Sequence, residues 1–119
     1  DYDPEYARRS DLYTPSSSAV TKLQNYGEDV QVRVFFGSWC PHCQQVVPRI
    51  MRVEEEISGS NVAIEYYGLP RDMNDSKAKA LGIRSVPTAV VFRGGEEIGR
   101  LSGNGWKYPE ATLVGLIEG

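Results

Sequence analysis

Two cysteines, Cys40 and Cys43, stand three residues apart in "SWCPHCQQVVP", Ser38 to Pro48, with Pro41 and the only histidine of the chain, His42, between them. Thiols this close serve as a structural staple, as part of a metal site, or as a dithiol that exchanges with other disulfides. As a staple, the bridge closes a loop of about four residues and is worth about 2 kcal/mol. A chain of 119 residues with 40% hydrophobic content can build one core without that help. A zinc site requires four ligands in tetrahedral array, and beyond Cys40, Cys43 and His42 the chain has no cysteine or histidine to complete one. A Cys-x-x-Cys pair opening a helix in a βα pattern is more often redox-active than either. The dithiol reading is the one the residues favour.

Exchange proceeds through the thiolate, and an ordinary cysteine near pKa 8.5 is mostly protonated at neutral pH. Cys40 precedes a helix, so unpaired backbone N–H groups and the helix dipole point at it. Protonated His42 adds a positive charge beside it. Pro41 suits the first turn, since it has no N–H to leave unpaired. Thiols in such settings fall to between roughly 7 and about 3.5, worth up to about 7 kcal/mol. That energy stabilises the reduced form and makes the disulfide oxidising; roughly 150 mV separates the two ends of this class of dithiol. Cys43, one turn further in, is the buried resolving thiol.

The elements that must position this pair surround it. "VQVRVFF", Val30 to Phe36, alternates and then turns fully apolar, as a strand entering the middle of a sheet does, and it runs straight into the cysteines. Val46, Val47, Ile50, Val53 and Ile57 recur at three- and four-residue spacing, which predicts an amphipathic helix from Pro41 to Ser58 containing Pro48. Upstream, Ser18 caps a short helix with Val20 and Leu23 on one side, closed at Gly27. Downstream, "NVAIEYYGL" is a strand and "MNDSKAKALGI" a short helix capped by Asn74 or Asp75 and stopped at Gly82. "SVPTAVVFRGGEEIGRLSG" is a β-hairpin, and Pro109 opens a last helix bearing Leu113, Leu116 and Ile117.

The order α, β, α, β, α, β, β, α implies an α/β fold, a central mixed β-sheet flanked by helices, in one domain spanning residues 18–119. Residues 1–17, "DYDPEYARRSDLYTPSS", lack periodicity and read as an irregular N-terminal leader. Reactive groups in such sheets sit where a strand ends and a helix begins, and Cys40 falls there. The net charge of −3 and the scattering of thirteen Lys and Arg argue against a nucleic-acid partner. No apolar run approaches the roughly 18 residues of a membrane span. The chain starts at Asp1, with methionines only at Met51 and Met73, and so reads as a processed protein or an excised piece of a longer one, a start compatible with export but not establishing it.

With these features in place the sequence resembles the thioredoxin-fold family from about Ser18 to the end. Trp39 to Cys43, "WCPHC", is similar to the family's tryptophan-preceded active-site motif. Pro48 matches its helix proline, and Leu81 to Gly103 resembles its second half, with Pro87 at the cis-proline. The resemblance implies that Cys40 attacks or is attacked, Cys43 resolves the mixed disulfide and His42 tunes the Cys40 thiolate. Trp39, Val86 and Pro87 then border the substrate, with the N–H and C=O of Val86 free to pair with an extended client strand. Protein thiols and disulfides are the implied substrates of a monomeric enzyme that takes a further redox partner and no cofactor.

The Pro-His pair and the valine before Pro87 are similar to DsbA-type oxidants, yet only about 43 residues separate Cys43 from Pro87, too few for the helical insertion of that group. A minimal thioredoxin domain with a DsbA-like site is the expected subtype. It implies oxidation or isomerisation of exported proteins in an extracytoplasmic setting, such as a bacterial periplasm or the cell envelope, with the cytoplasm left open. The rival readings are a reductase fed by another thiol donor and a non-catalytic client-binding module. The family's buried aspartate, six residues before the first cysteine, is here Val34. Glu65 on the next strand, or water, is its candidate substitute. Trp106 is either a core anchor or a contact added near the site, and Tyr66 and Tyr67 pack on their strand.

Overall fold

The structure is a computed structural model that describes residues 12–118. Its elements run α1 (Ser17–Gln24), β1 (Val30–Phe36), α2 (Pro41–Glu56), β2 (Val62–Gly68), α3 (Ser76–Ala80), β3 (Thr88–Arg93), β4 (Glu96–Leu101), a 3-10 turn (Gly103–Trp106) and α4 (Pro109–Glu118). The four strands form one sheet in the order β2-β1-β3-β4. β1 pairs in parallel with β2 and antiparallel with β3, which pairs antiparallel with β4, so the sheet is mixed with β1 inside it.

Alternation along β1 divides the core. Val30, Val32 and Val34 face α2, packing with Val46, Val47, Ile50 and Val53, with Leu113 and Ile117 of α4 and with Leu23 of α1. All three longer helices therefore cover one face. Phe35 and Val90 face the other way, towards Leu69, Ala78 and Ile83, where the five-residue α3 gives a smaller cover. Val32, Val34, Ile50 and Val53 are fully buried, and each such side chain stabilises the fold by about 1.5 to 3 kcal/mol. This packing fixes the base of α2, and so the place at which its first turn meets the end of β1.

α1 is capped by Ser16, whose hydroxyl accepts from the Ala19 amide at 3.5 Å, and not by the expected Ser18. The buried pair Ala19 and Leu23 sets the inward stripe of this helix, which places Ala19 within its first turn and the cap three residues before it. The chain leaves the helix at Asn25, two residues before the expected stop, and Gly27 takes no left-handed conformation. α3 is capped by Asp75, which accepts from the Ala78 amide at 3.0 Å, and Gly82 beyond it has φ +68.

The expected leader lies in part outside the described residues, which exclude residues 1–11. Residues 13–16 carry no regular structure but are anchored through Glu110, in the first turn of α4 and fully buried. Its two carboxylate oxygens accept from the Tyr13 hydroxyl at 2.6 Å and the Ser16 amide at 2.8 Å. The Arg49 guanidinium lies over the Tyr13 ring. Burial and the hydrogen bond to Glu110 hold the Tyr13 phenol well above its ordinary pKa. Glu110→Ala strands both donors, and is expected to cost about 1 to 3 kcal/mol. A denaturant midpoint lowered at constant m-value is the readout, and an unchanged midpoint contradicts the anchoring role.

Candidate active site

β1 ends at Phe36, and three residues turn the chain into α2. The Cys40 amide donates to the Gly37 carbonyl at 3.0 Å, closing the turn. Cys40 is the N-cap of the 16-residue α2, extended at φ −94 and ψ 116, and Pro41 follows as the first helical residue. In place of the hydroxyl usual at such a cap, the Cys40 Sγ accepts from the Cys43 amide at 3.3 Å. A donor amide and the positive end of the helix thus converge on one sulfur.

The two thiols are unbridged and differ in access. Cys40 retains 7% exposure and Cys43 none. Burial, followed by the hydrogen bond with Cys40, pushes the Cys43 thiol up to about 12, against a partial opposing contribution from the Gly37 backbone. The outer sulfur is therefore the one a client can reach, and the inner one is held protonated. His42 projects from the exposed side of the first turn and makes no hydrogen bond to either sulfur among the described residues.

A second segment approaches from the loop before β3. The Val86–Pro87 peptide bond is cis. The Val86 carbonyl lies 3.8 Å from the Cys40 Sγ, with Val86 partly exposed and Pro87 buried behind it. The Thr88 hydroxyl donates to the Ser85 carbonyl at 2.8 Å and ties the two ends of the loop together. The Trp106 indole N–H donates to the Pro87 carbonyl at 3.1 Å. Trp106 is fully buried in the main core, so it is both a core anchor and a contact beside the loop.

Trp39 flanks the dithiol and is partly buried. Its indole N–H donates to the Leu69 carbonyl at 2.9 Å, and the Leu69 amide in turn donates to the Phe36 carbonyl at 2.7 Å. The Trp39 ring lies on Gly37 so closely that any Cβ at that position would collide with it. Gly37 and Leu69 are thus positioning residues that sequence reasoning missed. The only local signal was the glycine two residues before the tryptophan, since nothing in the sequence reports the return of the β2 end to this corner.

The structure brings Trp39, Cys40, Cys43, Val86 and Pro87 to one edge, and it does not bring Glu65 there. Glu65 is exposed on the sheet face opposite Val32, Val34 and Ile64, where it accepts from the Gln31 side-chain amide and the Tyr67 hydroxyl, both at 2.8 Å. Strand alternation accounts for this: Ile64 and Tyr66 point towards α2, so the residue between them cannot. The expectation that Tyr66 and Tyr67 pack on the strand is met on opposite faces, Tyr66 donating to Glu54 and Tyr67 stacking on Phe35. A groove of about 470 Å³, lined by Asp29, Gln31, Asn61 and Phe92, lies at the far end of the sheet and includes none of the site residues.

Known proteins agree with this architecture. A family model described as Thioredoxin matches residues 17–117. Thioredoxin 1 of Nostoc sp. is 32% identical over 103 residues, covering 86% of this chain and 91% of the relative. The thioredoxin of Synechocystis sp. is 30% identical over 84 residues, 71% of this chain and 73% of its own. Among solved structures, Fasciola hepatica thioredoxin superposes with a TM-score of 0.59 at 26% identity, over 73% of this chain and 80% of that one. A Pseudomonas aeruginosa protein of unknown function reaches a TM-score of 0.72 over 97% of this chain and 82% of its own, at 16% identity, a similarity of fold alone.

Proposed function

The chain belongs to the thioredoxin family, and from that premise we propose that its thiol–disulfide exchange runs in the oxidising or isomerising direction on exported protein substrates, outside the cytoplasm. Thiol–disulfide oxidoreduction on protein disulfides is the activity of the family. The direction is argued from a single observation, the Cys43 amide donating to the Cys40 sulfur at the N-cap of α2. A sulfur whose anion is stabilised is a good leaving group, and a dithiol stabilised in its reduced form gives an oxidising disulfide. The Pro41–His42 pair between the cysteines, which resembles that of the DsbA-type oxidants, supports the same reading.

The proposed cycle starts with a Cys40–Cys43 disulfide. A client thiolate attacks the Cys40 sulfur, forming a client–Cys40 bond as the Cys40–Cys43 bond breaks, and Cys43 departs and takes up a proton. A second client thiolate then attacks the client sulfur, expelling Cys40 as its thiolate. The client gains one disulfide, and two electrons remain on this protein as the dithiol, to be passed to a further redox partner. Val86 offers its backbone to the extended client, and Trp39 borders it on the other side. A reductase fed by a thiol donor is the second reading, favoured by relatives that bear the name thioredoxin.

The test is the equilibrium reduction potential of the Cys40–Cys43 pair in glutathione buffers. A value well above roughly −270 mV, towards about −120 mV, is expected of an oxidant. One near −270 mV would put the reductase reading in its place. His42→Ala is expected to lower the potential by about 30 to 60 mV, a tenfold to hundredfold change in the exchange equilibrium. An unmoved potential would remove His42 from the tuning of the site.

A further inference from the structure

We propose that the segment Trp106–Lys107 is a strut that sets the distance between the substrate-pairing edge at Val86 and the redox helix, with Trp106 as the positioning residue. The inference rests on the reading of Val86 as the edge that a client strand joins. Three contacts carry it. The Trp106 indole N–H donates to the Pro87 carbonyl at 3.1 Å in a buried setting. The next residue, Lys107, offers its carbonyl to the Arg49 guanidinium of α2 at 2.6 Å. The Thr112 hydroxyl of α4 donates to the Gly105 carbonyl at 2.8 Å and fixes the turn from which both project.

One short turn therefore grips the loop behind Val86 with one residue and the helix of Cys40 and Cys43 with the next. These two parts of the site have no covalent connection nearer than the whole of β2 and α3. The sulfur-to-carbonyl distance of 3.8 Å between Cys40 and Val86 is the quantity such a strut controls. An extended client must place its disulfide on Cys40 while its backbone pairs with Val86, so the spacing enters its binding. A small disulfide with no peptide backbone uses Cys40 alone, and for it the spacing is immaterial.

Trp106→Phe keeps the apolar ring in the core and removes the N–H. The expected result is a loss of roughly tenfold in kcat/KM for an extended disulfide-bonded peptide, carried by KM, with exchange against bis(2-hydroxyethyl) disulfide, which has no peptide group, unchanged. Equal losses on both substrates, or no loss on either, would overturn the strut. Arg49→Met, which cuts the other grip from the protein surface, is expected to act in the same direction and serves if the Trp106 variant fails to fold; an unchanged peptide KM in it also overturns the proposal. Amide hydrogen exchange gives a readout that needs no activity. In both variants residues 84–90 should exchange faster while residues 62–68 keep the wild-type rate, and unaltered exchange over 84–90 refutes the strut. A wild-type protein inactive on both substrates counts against the oxidoreductase reading, and the exchange rates still decide for or against the strut.

Discussion

Cys40→Ser is expected to reduce kcat/KM on a protein disulfide by about a thousandfold or more while leaving the fold in place. The serine hydroxyl does not ionise in the range where a thiolate does, so it neither attacks a disulfide nor leaves as a stabilised anion. Position 40 is also the N-cap of α2, where its side chain accepts from the Cys43 amide. Serine is among the preferred N-caps, so the substitution conserves the structural contact and isolates the chemistry. Thermal melting of the reduced variant within a few degrees of wild type, together with loss of exchange, is the expected pair of results. Activity within tenfold of wild type would mean that Cys40 is not the nucleophile. Retention of a cellular role by the doubly substituted Cys40→Ser, Cys43→Ser chain would favour the client-binding module instead.

The second large effect concerns Cys43 and pH. Its thiol is pushed up to about 12, well above that of an ordinary cysteine, chiefly by burial. Attack by Cys43 on a client–Cys40 disulfide requires its thiolate, so the resolving step is expected to accelerate about tenfold per pH unit across the neutral and mildly alkaline range. The buried acid that serves this step elsewhere in the family is replaced here by Val34, which is fully buried, and Glu65 lies on the other face of the sheet. Of the two substitutes the sequence suggests, Glu65 and water, this orientation leaves water as the expected proton acceptor. Rapid-mixing decay of a mixed disulfide with a peptide thiol measures the slope, and a flat profile would reveal a base at Cys43. Cys43→Ser should halt decay and accumulate the mixed disulfide.

The same shift makes a stability statement. A folded-state pKa raised above the unfolded value means that the fold favours the protonated thiol. The stabilisation is fully present below about 9 and is lost as pH rises through about 12. Reduced protein should therefore lose a few kcal/mol across that window relative to the oxidised form, which has no thiol to titrate.

Most of the fold was legible because its signals are local. Val30 to Phe36 alternates because one face of β1 meets α2, and the helical spacing of Val46, Val47, Ile50 and Val53 is the other half of that contact. The start of α1 was misplaced because Ser16, Ser17 and Ser18 are equivalent as caps by type. Only the burial of Ala19 and Leu23 selects among them. Glu110 gave no sign that it would be buried, since its partners Tyr13 and Ser16 stand more than ninety positions away.

The dithiol was readable from residue types and their spacing: two thiols one helical turn apart, a proline and an imidazole between them, and a strand leading into the helix they open. Those features act over a few residues, so periodicity and residue type suffice to read them. Tertiary structure alone decided which sulfur is accessible, that the Val86 carbonyl comes within 3.8 Å of Cys40, and that Trp106 stands behind Pro87. It also turned Glu65 away from Cys43. The reason is that these relations join segments distant in the chain, and the packing of α2 against the sheet, rather than any local preference, brings their side chains together.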